Sequence, residues 1–119
     1  MKKILALLLL LFNFAHSQTA LIQEESQSII GTWVIEGETN NKWVFTANNT
    51  CRWEFNGVTI NNFIYTVSSQ LSPNGVEHVY LKLVNNIEIH EYEINGVNNE
   101  KLTLESFDPK LGYIYFYKQ

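Results

Sequence analysis

Beyond residue 17 the groups able to do chemistry are few: His78, His90, Asp108, the lone Cys51 and a scatter of glutamates. His90 stands beside Glu91 and two residues from Glu88, and His78 follows Glu77, which are metal-ligand types at short spacing. Adjacent residues of a strand face opposite ways, so only Glu88 and His90 can share a face. A structural metal site draws on three or four converging ligands, and this pattern does not supply them. Neither histidine neighbours a serine or cysteine that would suggest a nucleophilic triad. Glu88, Glu91 and Glu93 could act as paired carboxylates for glycoside chemistry, but on a barrel exterior such residues form a solvated face. The sequence therefore predicts no catalytic residue, no metal and no cofactor, and the chain reads as non-enzymatic.

The elements that carry these groups read as strands. Cys51, Trp53 and Phe55 alternate with Thr50, Arg52 and Glu54, so the cysteine shares an apolar face and is expected to be a buried, inert thiol. From Gly31 onward the same period of two recurs. The expected strands are Trp33 to Ile35, Lys42 to Thr46, Cys51 to Phe55, Ile60 to Val67, Glu77 to Val84, Ile87 to Asn95, Lys101 to Phe107 and Gly112 to Lys118. Asn56-Gly57 is the strongest hairpin signal, because both central residues of a type I′ turn need positive φ. Asn48-Asn49-Thr50 matches a glycosylation sequon and reads more simply as a turn. In the sixth segment Ile87 and Ile89 fall on one phase, and Tyr92 and Ile94 on the other. Either a bulge near His90-Glu91 reconciles them, or the two isoleucines belong to the hairpin end. Eight short strands joined by short turns predict an all-β, antiparallel, up-and-down barrel.

What precedes the barrel reads as an export signal. Met1-Lys2-Lys3 is basic, Ile4 to Phe14 is nearly all apolar, and Ala15-His16-Ser17 offers a small-residue cleavage site. The apolar run is too short for a membrane span of roughly 20 residues. The expected organisation is a signal peptide over 1–17, a lead-in over 18–30 with a helical turn near Leu21 to Ser26, and one barrel domain over 31–119. The short Lys-Lys leader suggests a bacterial protein, secreted or periplasmic. Loss of Lys2 and Lys3 takes the net charge from −4 to about −6, because no acid lies in the leader. An acidic chain without basic runs argues against nucleic acid or an anionic membrane as partner.

Three features carry a family resemblance: Gly31-Thr32-Trp33 at the head of the first strand, Trp43-Val44-Phe45 in the second, and the pair Tyr92-Glu93-Ile94 and Leu102-Thr103-Leu104. With them the chain resembles the short bacterial lipocalin-like domains over about Ile30 to Gln119. The resemblance implies that Trp33 plugs one end of the barrel, with Ile29 and Ile30 beneath it. It also implies an exported barrel binding a small hydrophobic or amphipathic ligand.

An eight-stranded barrel has an interior just wide enough for side chains or for one small ligand. An open interior would place Trp43, Phe45, Trp53, Phe55, Phe63, Tyr65 and Tyr92 around that ligand. Tyr113, Tyr115 and Tyr117 alternate with Ile114 and Phe116, and one of the two faces must look outward. Inward tyrosines would add Tyr115 to the ligand set. Outward ones would form an aromatic stripe for a partner or a carbohydrate. The alternative function is a solid-core secreted interaction or inhibitor module that docks another protein by its outer face.

Overall fold

The computed structural model describes residues 28–119. The expected signal peptide, the lead-in up to residue 27 and the helical turn near Leu21 to Ser26 lie outside the described residues.

Eight strands follow one another: β1 (Gly31–Ile35), β2 (Glu38–Phe45), β3 (Thr50–Phe55), β4 (Val58–Leu71), β5 (Glu77–Val84), β6 (Ile89–Val97), β7 (Lys101–Ser106) and β8 (Tyr113–Lys118). Each pairs with the next, and β1 pairs with β8 through Trp33 opposite Lys118 and Ile35 opposite Phe116, closing the barrel. Every pairing is antiparallel, so the architecture is the all-β up-and-down barrel. Closure leaves no sheet edge to protect.

The alternation of the sequence becomes two surfaces. Trp33, Trp43 and Trp53 are direct cross-strand partners, Trp33 with Trp43 and Trp43 with Trp53, so spacing by ten residues lines them up on the inner wall. Leu81, Leu83, Ile94, Leu102 and Leu104 complete the buried cluster from the other side. Asn56 and Gly57 carry φ of 52° and 79°, the positive pair that the β3–β4 turn demands. Gly31 has φ of 138°, and a side chain there would begin 2.9 Å from Lys118 Cε.

Several strand limits differ from expectation. β2 begins at Glu38 rather than Lys42, because the polar run Thr39-Asn40-Asn41, exposed except for the half-buried Asn41, continues as strand instead of turn. β4 extends through Ser68-Ser69-Gln70-Leu71, which pair with Tyr80, Val79, His78 and Glu77. β6 starts at Ile89, with Ile87 in the turn at 89% exposure. Pairing with β5 is continuous through His90 and Glu91, so no bulge lies there and the two isoleucines belong to the hairpin end. The irregularity falls instead between Ile94 and Gly96, where Asn95 is the extra residue against β7.

Candidate functional site

The first candidate is the lumen. Trp43, Phe45, Phe63, Tyr65 and Tyr92 are buried there. The Trp43 ring touches four neighbours: Trp53 at 4.7 Å, Phe116 at 4.9 Å, Tyr92 at 5.6 Å and Phe45 at 6.4 Å between centroids. Because β2 and β6 lie four strands apart in an eight-stranded ring, the contact of Trp43 with Tyr92 spans the barrel. These rings fill the waist with side chains, at separations in the favourable range for aromatic pairs. Phe45 meets Tyr65 edge to face at 5.1 Å, and the Tyr65 hydroxyl donates to the Thr46 carbonyl at 3.0 Å.

At the end where β1 begins, Trp33 is fully buried and its indole N–H donates to the Ile29 carbonyl at 2.8 Å. Ile29 is itself fully buried, while Ile30 is half-buried. Lys118 Nζ stands 5.5 Å from the centre of the Trp33 ring, a cation–π distance. Cys51 is buried on the inner wall, and burial pushes its thiol pKa up, which keeps it protonated and unreactive.

The opposite end holds the polar inner groups. Trp53 packs against Phe63 at 4.7 Å and the His90 ring at 5.0 Å, and His90 Nε2 pairs with Glu88 Oε2 at 2.7 Å. The Trp53 indole nitrogen is buried without a hydrogen-bond partner among the described residues. Tyr92 has its pKa pushed up to about 12, by burial first and then by the charges of Cys51 and Glu88. Beside this mouth, a cleft of about 390 Å³ is bordered by His90, Tyr92, Phe107, Asp108 and Leu111.

Two residues of the expected ligand set fall elsewhere. Tyr115 points outward with Tyr113 and Tyr117, at exposures of 51%, 52% and 39%. The lumen takes Phe116 and Ile114 instead, because Phe116 is the residue that reaches Trp43. Phe55 sits at the rim, 45% exposed, since β3 ends there and the β3–β4 register has already shifted between Trp53 and Glu54.

The outer wall carries features that single-residue inspection did not bring together. Tyr80, Glu93, Glu105 and Tyr113 are successive register partners on β5, β6, β7 and β8. Glu93 accepts from the His78 ring, and Glu105 accepts from Asn95 Nδ2 at 3.3 Å. The neighbouring Glu105 charge, above all, raises the Tyr113 phenol. Grooves of about 320 Å³, bordered by Tyr80, Glu91 and Phe107, and about 540 Å³, bordered by Glu36, Lys101, Tyr115 and Tyr117, flank this row. Tyr80, Glu93, Glu105 and Tyr113 lie on four different strands, so only the strand register makes them a row.

Each histidine meets one glutamate, and among the described residues no three His, Cys, Asp or Glu side chains gather as a metal set. No protein-family model, no curated protein and no solved structure matches the chain.

Proposed function

We propose that this chain is a non-enzymatic, exported binding module with a solid core, which docks another protein by its outer face. The observation that supports it is the contact of Trp43 with Tyr92 and Phe116, which occupies the waist where an axial ligand would lie. The last-strand tyrosines, turned outward, provide apolar bodies with polar tips at the surface, a composition suited to interfaces. The lipocalin-like resemblance is part of the same proposal for the barrel, with its ligand-carrying role set aside.

A second reading keeps a small hydrophobic or amphipathic ligand but moves it to the mouth. The unpartnered Trp53 nitrogen, beside the Glu88–His90 pair, favours it: an acceptor on a ligand would satisfy that donor.

Intrinsic tryptophan fluorescence of the mature protein, titrated with fatty acids, retinoids and haem, separates the two. Emission that is blue-shifted and unchanged by every compound is expected. Saturable quenching or a spectral shift, lost on unfolding and weakened by Trp53→Phe, would overturn the outer-face reading in favour of the mouth.

A further inference from the structure

The row Tyr80–Glu93–Glu105–Tyr113 is unusual for a surface selected only for folding. Glu93 and Glu105 are directly opposed across β6 and β7, and like charges in that position destabilise a sheet. Among the described residues no lysine or arginine pairs with either: Glu93 meets the His78 ring, and Glu105 meets the Asn95 amide and the Tyr113 hydroxyl. On the same strands Lys82 stands opposite Glu91 and Lys101 opposite Tyr117.

On either side of the two carboxylates stand aromatic walls. Tyr113 and Tyr115 have parallel rings 6.2 Å apart, and Tyr80 lies parallel to His78 at 6.3 Å and edge-on to Phe107 at 5.4 Å. Two carboxylates flanked in the register by tyrosines are complementary to a cation with apolar flanks: the charge meets the acids, and the apolar stem packs on the rings. Guanidinium fits this setting best, because it is planar, weakly hydrated and able to bond two carboxylate oxygens at once. The net charge of the whole chain, −4, draws the same kind of partner from a distance.

Resting on the outer-face reading, we propose that the outer wall of β5–β8 docks a cationic segment of another exported protein, with an arginine side chain set between Glu93 and Glu105 and walled by Tyr80 and Tyr113. The two flanking grooves receive the residues on either side of that arginine.

The test is a titration of the isotope-labelled mature protein with a blocked peptide of alternating glycine and arginine, read by calorimetry and amide shifts. The expected shifts centre on residues 91–95 and 103–115. Glu93→Gln with Glu105→Gln weakens binding by about ten-fold or more, whereas Glu38→Gln with Glu100→Gln, an equal charge loss elsewhere, changes it less than about two-fold. Both double variants should fold, and removing the opposed charges should raise the melting temperature of the first. Equal weakening by the two double variants would reduce the effect to bulk attraction and overturn the proposal. Absence of peptide binding, with shifts on the same face from a neutral peptide or a soluble polysaccharide, would overturn the cationic partner but leave the face in use. Shifts confined to Trp53 and His90, with small amphiphiles only, would overturn the outer-face reading as well.

Discussion

Trp43 on β2 and Tyr92 on β6 hold their ring centroids 5.6 Å apart from opposite walls of the barrel. Trp43 is thus a keystone of the waist rather than one wall of an empty pocket. Trp43→Ala should destabilise by about 3–5 kcal/mol, the range for deleting a large buried aromatic. The void would be apolar and lined by rings, the kind of cavity that stays dry and accepts small aromatic guests. Adding indole should therefore recover part of the lost melting temperature in Trp43→Ala and leave the wild type unmoved. No recovery would mean that the waist collapses onto the space.

Two tryptophans with opposite hydrogen-bond circumstances make a matched experiment. The Trp33 indole donates to the Ile29 carbonyl at 2.8 Å, whereas the Trp53 nitrogen is buried and unpaired. Replacement by phenylalanine removes the same ring volume from each. In Trp33→Phe it also strands a buried carbonyl, while in Trp53→Phe it removes a donor that had nothing to lose. Trp33→Phe should be the more destabilising by about 1–2 kcal/mol in urea denaturation. Equal losses would show that the Trp53 donor is satisfied in solution.

Backbone requirements separate two glycines. Gly57 lies in the positive-φ turn with open space where a side chain would begin, so Gly57→Ala meets only the left-handed penalty, about 1 kcal/mol. Gly31 combines φ of 138° with Lys118 Cε at 2.9 Å from that position. Gly31→Ala should lower the denaturation midpoint further than Gly57→Ala, and Lys118→Ala in its background should return only the steric part.

What the sequence disclosed follows from which forces act locally. Inner-wall residues such as Phe63, Tyr65, Leu81 and Leu83 were legible because burial imposes period two. Thr39-Asn40-Asn41 and Ser68-Ser69-Gln70 were not read as strand, because their ladders are held by neighbouring strands and their side chains are mostly exposed. On β8 both phases are apolar, so the outward turn of Tyr115 was decided by volume: Phe116 is the ring that completes the packing around Trp43. The opposition of Glu93 to Glu105 depends on the extra residue at Asn95, which nothing in the local pattern marked.

The buried acids of the inner wall fix how the fold meets alkali. Burial raises the Cys51 thiol, and burial followed by the Cys51 charge raises the Tyr65 phenol. Tyr92 is pushed up to about 12, again chiefly by burial. In the unfolded chain these groups ionise near their ordinary values, about 8.5 for the thiol and about 10 for the phenols. Above those values the unfolded state sheds protons that the native state keeps. Stability is therefore complete below about pH 8.5 and falls as the pH rises from there through the range in which the native groups ionise. Cys51→Ala should lose about 1 kcal/mol at neutral pH, through the small cavity. It should also remove the first part of the alkaline decline, between about pH 8.5 and 10, leaving the part due to the two tyrosines. Denaturation midpoints at a series of pH values, with tyrosine ionisation followed by absorbance near the ultraviolet edge, check both parts. A wild-type curve as flat as that of Cys51→Ala over that first interval would show that the thiol ionises as readily in the fold as outside it.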